Sequence, residues 1–165
     1  MIYCIKEKFW SFSDSFSITD QEGRELFFVK GKAFSWGDKL SFQDPHGREL
    51  AFIDQKVFSW KPRYSIYING QRFAEVVKEF SWFKKKFTLD VPGPNDYEIN
   101  GSFWEHEFTF RRQGQTVARV SKAYWGWTDT YGVDIIDGED DISILCSCIV
   151  IDQVLEDEKK GSGIT

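Results

Sequence analysis

Apolar and polar residues alternate in short runs over most of the chain. Ala74 and Val76 flank Glu75, Ala118 and Val120 flank Arg119, and the same beat recurs in Leu40-Ser41-Phe42, Tyr64-Ser65-Ile66 and Phe87-Thr88-Leu89-Asp90-Val91. A period of two marks a strand with one buried face. About twelve such runs precede residue 137, at the regular spacing of a sandwich or barrel. The turns between them have mechanical reasons. Asp44-Pro45-His46-Gly47 places Asp first, Pro second and Gly fourth, as a type I turn prefers, and Asn69-Gly70 suits a two-residue hairpin with positive φ at both positions. Asp20 to Gly23 and Gln113-Gly114 fill equivalent places, while Pro92-Gly93-Pro94-Asn95-Asp96 must be a loop.

The pattern changes at the C-terminus. From Ile142 to Ile151 there is neither alternation nor a turn residue, with Glu139, Asp140 and Asp141 before the run and Lys159-Lys160 beyond it, the charge polarity a helix dipole favours. The spacing predicts a helix over about 140–158, although its β-branched residues oppose that choice. A helix apolar on all sides must lie in a protein core or in lipid. Ten residues at 1.5 Å each reach only about 15 Å, roughly half a bilayer's hydrocarbon thickness, so burial inside the sheet is expected. A barrel of more than about eight strands has a lumen its own side chains cannot fill, and one helix, about 10 to 12 Å across, fills it.

An internal repeat organises the strands. Residues 23–36 and 47–60 share Gly, Arg, Glu, Leu, Phe, Lys, Phe, Ser and Trp in register. A third copy at 70–82 and a weaker fourth at 114–125 lack one residue between the apolar stretch and the Lys, which predicts a bulge in the first two. Unequal spacings argue against a solenoid and for repeated hairpins in one sheet.

Composition sharpens this reading. Sixteen Phe, seven Trp and six Tyr against a single Met favour strands and exclude a helical bundle. The 165 residues suit one domain, expected over 1–158, with 159–165 as a disordered tail. A net charge of −5 provides no general field to draw the chain onto nucleic acid or an anionic membrane, so any attraction to phosphate must be local, and nucleic acid is not expected as a partner. Charges at Lys6, Glu7 and Lys8 interrupt any signal-peptide core, and Cys4, Cys146 and Cys148 make no disulfide framework, so a cytoplasmic location is expected.

These features together, Gly-x-x-apolar-Ala-x-apolar strands at 70–76 and 114–120 and the run Val133-Asp134-Ile135-Ile136 leading through acidic residues into the apolar helix, resemble the LURP-one-related family, also called the tubby C-terminal-like superfamily. The likeness covers nearly the whole chain, from about residue 3 to 158. It implies a mainly β fold, a twelve-stranded closed antiparallel β-barrel around one central hydrophobic C-terminal α-helix. Relatives implied by the resemblance include phosphoinositide-binding tubby domains and phospholipid scramblases. It carries over no catalytic motif.

Candidate chemistry is sparse. Trp82-Phe83-Lys84-Lys85-Lys86-Phe87 sets point charges beside rings, a pattern suited to anionic headgroups at a membrane interface, and Arg111 and Arg112, or Lys61 with Arg63, extend it if the fold gathers them. The plainer account is a solvated strand or an edge guarded by Lys, and it is preferred because phosphoinositide-binding clusters have about four to eight basic residues. The Phe-Ser-Trp triplets at 34–36, 58–60 and 80–82 repeat one pattern, which favours equivalent core positions over an aromatic rim; Trp125 and Trp127 are the better surface candidates. In a strand, His106 faces away from Glu105 and Glu107, so no metal site is expected there. Buried thiols at Cys146 and Cys148 are inert, no nucleophile or phosphate-loop motif occurs, and neither catalysis nor a cofactor is expected. Two readings remain: a peripheral module touching anionic phospholipid, or a protein-interaction scaffold without a lipid role.

Overall fold

The computed structural model describes residues 1–8, 15–31, 36–80, 85–124 and 130–162. Twelve strands form the wall: β1 Ile2–Lys8, β2 Ser15–Thr19, β3 Glu25–Gly31, β4 Lys39–Gln43, β5 Glu49–Gln55, β6 Arg63–Ile68, β7 Gln71–Glu79, β8 Lys86–Asp90, β9 Tyr97–Ser102, β10 Glu107–Arg112, β11 Gln115–Ser121 and β12 Thr130–Ile135. Each pairs antiparallel with its neighbours in sequence, and β1 pairs with β12, which closes the barrel. The expected mainly β barrel with one C-terminal helix is therefore the observed fold.

The helix α1, Asp141–Gly161, fills the lumen. Ile144, Leu145, Ile149, Val150 and Ile151 lie in one core with Ile18, Phe42, Ile66, Leu89, Phe110 and Val133 from around the wall. It continues past the expected end at 158, so Lys159 and Lys160 are helical. The polar residues at its start have separate duties. Asp140 caps the helix, accepting from the Ser143 N–H and hydroxyl (3.3 and 2.6 Å), Asp141 accepts from the Tyr3 hydroxyl, and Glu139 accepts from the Tyr97 hydroxyl (2.6 Å). Inside the barrel, the Ser147 hydroxyl donates back to the Ser143 carbonyl (2.8 Å), so this buried polar group is satisfied.

The turns form as their residues require. Asn69 and Gly70 have φ of 51° and 76°, and the N–H of Gly47 donates to the carbonyl of Asp44 at 3.0 Å. The bulge expectation needs correction. Register shifts occur beside the turn in all four repeat copies, at Ile18/Thr19, Phe42/Gln43, Ile66/Tyr67 and Phe110/Arg111, whereas β3 with β4 and β5 with β6 pair without a shift. The residues that hold the extra position in the first two copies, Lys30–Gly31 and Asp54–Gln55, are paired in regular register, so the insertion distorts no ladder there.

A meander of this kind sorts its connections by length. Short turns (20–24, 44–48, 69–70, 91–96, 113–114) and the lead into α1 at 136–140 occupy one end of the barrel. The connections 9–14, 32–38, 56–62, 80–85, 103–106 and 122–129 join strands at the other, here called the loop end. The helix runs from the turn end to the loop end.

Candidate functional site

Strand parity decides which basic residues meet. On β8, β9 and β10 the residues Phe87, Leu89, Ile99, Phe108 and Phe110 are buried inward. Their neighbours point outward in two cross-strand rows: Lys86 opposite Asn100, itself opposite Thr109, and Thr88 opposite Glu98, itself opposite Arg111. Lys86 and Arg111 thus share one outer face across β9. A surface cleft of about 750 Å³ lies against it, lined by Lys85, Asn100, Trp104, Thr109 and Arg111 among others. A second, of about 430 Å³, is lined by Lys86, Glu98, Arg111 and Gln113. Arg111 borders both, its guanidinium donating to the Gly114 carbonyl at 2.6 Å.

Arg112, one position on, has the opposite parity. Its guanidinium reaches Glu139 at 2.6 Å and lies over the Tyr97 ring, 5.6 Å from the centroid, so it ties the barrel rim to the helix start. Its hydrogen bond with Glu139 raises its pKa further. Lys61 pairs with Glu79 (2.9 Å) and Arg63 with Glu75 (3.0 Å); neither lines the two clefts. Lys84, Trp125 and Trp127 lie outside the described residues.

Lys85 stands at the junction of wall and helix. Its ammonium donates to Glu158 at 2.6 Å and lies 4.9 Å from the centroid of the Trp104 ring. Lys78 shares Glu158 from the other side. Burial lowers the pKa of both lysines, and the charge of Lys85 lowers that of Lys78 further.

Among the described residues, the rings of the aromatic triplets do not behave as core. Trp36 and Trp60 are 83% exposed, Phe58 94% and Phe80 62%, against the expectation of equivalent buried positions. The reason is topological: each lies past the end of its strand in a loop-end connection, where no inward face exists. Trp60 and Phe80 meet across adjacent connections with centroids 5.4 Å apart. Trp104, in the 3-10 turn Phe103–Glu105, is half exposed. The readable signal was position, since each triplet follows an alternating run at the same hairpin end.

His106 is not in a strand. It follows the 3-10 turn in the left-handed conformation (φ 53°), stacks on Tyr131 at 4.5 Å, and brings Nε2 within 2.9 Å of Asp152. The Tyr131 hydroxyl donates to the same carboxylate at 2.6 Å. This cluster fastens the helix to the wall near the loop end. Among the described residues no group of three or more His, Cys, Asp or Glu could hold a metal ion.

With wall, plug and surface described, comparison with known proteins is direct. The LURP-one-related family pattern matches residues 1–152. The chain belongs to that family. It is 37% identical over 158 residues, 96% of either chain, to the uncharacterized protein YxjI of Bacillus subtilis (strain 168). It also superposes on the X-ray structure of an Arabidopsis thaliana protein with a TM-score of 0.67 and 18% identity, covering 93% of this chain and 91% of the other, a likeness of fold.

Proposed function

We propose that this LURP-one-related protein is a non-enzymatic peripheral module that binds anionic phospholipid headgroups weakly on the outer face of β8, β9 and β10. The observation that carries the reading is that Lys86 and Arg111 stand on one outer face, with Lys85 and Trp104 at the edge of the cleft beside Arg111. A phosphate entering there meets a guanidinium able to bind it in a bidentate manner and an ammonium able to act as a point charge. Glu98, 3.7 Å from Lys86, offsets part of that charge, so the contact is weak and salt-sensitive. A soluble protein-interaction role is the competing reading, favoured by the exposed rings of the loop end.

Flotation with phosphatidylcholine vesicles, with and without phosphatidylserine, at low and at about 0.15 M salt separates the two. The headgroup reading expects binding to the anionic vesicles only, weakened by salt and lost in the Lys86→Glu, Arg111→Glu double variant. Flotation of that variant equal to wild type, or none of the wild type under any condition, overturns it.

A further inference from the structure

The whole molecule is polarised along the barrel axis. All seven tryptophans of the chain, at 10, 36, 60, 82, 104, 125 and 127, fall by sequence in the six loop-end connections, and none falls in the turns of the opposite end. Those among the described residues, Trp36, Trp60 and Trp104, are exposed, as are Val57, Phe58 and Phe80 beside them. Formal charge divides the same way. The turn-end connections contain seven carboxylates against two arginines, and the loop-end connections six lysines against four carboxylates. The last helical turns add Glu156, Asp157 and Glu158 to the loop end, with Lys159 and Lys160.

We propose that the loop end is an insertion face for a phospholipid bilayer, with the rings of Trp36, Phe58, Trp60 and Phe80 entering the interfacial layer and the barrel tilted so that the β8–β10 face lies along the headgroups. The proposal rests on the membrane reading above and adds to it the part of the molecule that penetrates and its orientation. Three observations favour lipid as the occupant. Phe58 and Trp36 stand almost fully exposed on separate connections, which suits a soft medium into which each ring sinks independently. Tryptophan is the residue that membrane–water interfaces enrich, because its amphipathic ring settles at headgroup level, and here all three described tryptophans lie at one end. The charge division turns the acidic end away from an anionic surface and the lysine-bearing end toward it, and Lys85 over Trp104 already pairs a cation with a ring at that rim.

The arrangement supplies its own probe. Because the described tryptophans, Trp36, Trp60 and Trp104, all lie at the loop end, intrinsic fluorescence reports on that end of the barrel. The test adds phosphatidylcholine vesicles, with and without phosphatidylserine, carrying lipids brominated on the acyl chain near the headgroup, to the wild type, to the Trp36→Ala, Phe58→Ala, Trp60→Ala, Phe80→Ala variant, and to the Lys86→Glu, Arg111→Glu variant. Circular dichroism establishes that each variant is folded. Should the four-ring variant fail to fold, Phe58→Ala alone, at the most exposed of these rings, replaces it. Expected are a blue shift and quenching of wild-type emission on binding, with flotation of the four-ring variant reduced at least about tenfold. Flotation that depends on Lys86 and Arg111 while emission is unquenched, or while the four-ring variant floats like wild type, overturns insertion and leaves headgroup binding standing. Quenching and flotation on neutral vesicles, lost with the rings and indifferent to the charge variant, supports insertion and overturns the headgroup site. No flotation of the wild type overturns both. Ring-dependent self-association without lipid, seen by sedimentation, overturns insertion in favour of a second copy of this chain.

Discussion

A helix enclosed on every side makes an unusual demand on mutagenesis. Successive helix residues are about 100° apart, so Cys148, Ile149, Val150 and Ile151 sample all its faces. In a helix lying on a surface at least one of four such positions faces water and tolerates alanine within about 0.5 kcal/mol. Here Cys148, Ile149 and Ile151 are 0% exposed and Val150 1%. Ile149→Ala and Ile151→Ala each remove three carbons, about 2.4 kcal/mol in transfer free energy at about 0.8 kcal/mol per carbon. The cavity left in a wall closed by hydrogen bonds on all sides adds to this, placing each at about 2–5 kcal/mol. Val150→Ala removes two carbons, about 1.6 kcal/mol before its cavity. Urea unfolding of the three variants, followed by far-UV circular dichroism with the slope checked for two-state behaviour, measures these costs. Any one of the three unfolding within about 0.5 kcal/mol of wild type would mean that a face of α1 is open to solvent, and would refute the plugged barrel.

Two further outcomes test the wall. Gly101 has φ of +146°, and a Cβ there would come within 2.4 Å of the Glu107 carbonyl oxygen and 2.6 Å of the Phe108 Cα, so Gly101→Ala must part β9 from β10 as well as strain the backbone. Gly23, with φ of +81° and open space around it, bears only the left-handed penalty of about 1–2 kcal/mol; urea midpoints should therefore rank Gly101→Ala clearly below Gly23→Ala, and equal losses would contradict the close approach. The Asp44 carboxylate accepts from the backbone N–H groups of Arg48 and His46 (3.0 and 2.9 Å), and the Arg48 bond foremost holds it below the usual carboxyl range. A carboxyl lowered in the folded state contributes fully above its unfolded pKa of about 3.9 and loses that contribution as pH falls through the folded value. The stability difference between wild type and Asp44→Asn should accordingly be constant near neutrality and shrink below about pH 4; a difference independent of pH would show that the ionised form has no special role in the turn.

Local physics accounts for what could be read without coordinates. Alternation, turn chemistry at Asp44 and Asn69, and the unbroken apolar run from Ile142 to Ile151 each follow from the backbone period and from side-chain solvation, which act within a few residues. They determined the strands, the helix and, because an apolar helix needs an apolar enclosure, the plugged barrel. What depends on neighbours across the fold was not legible. Arg111 and Arg112 are adjacent in sequence, yet strand parity sends one to the outer face with Lys86 and the other to Glu139 at the helix start. His106 reads as a strand residue between two glutamates, but the closing of β9 onto β10 places it in a left-handed turn against Asp152 of the helix. The Phe-Ser-Trp triplets have a core composition, but their described rings, Trp36, Phe58, Trp60 and Phe80, are exposed. Their composition is a property of the residues alone, whereas their exposure follows from the meander, which carries every second connection to the same end of the barrel, beyond the reach of the wall that would have buried them.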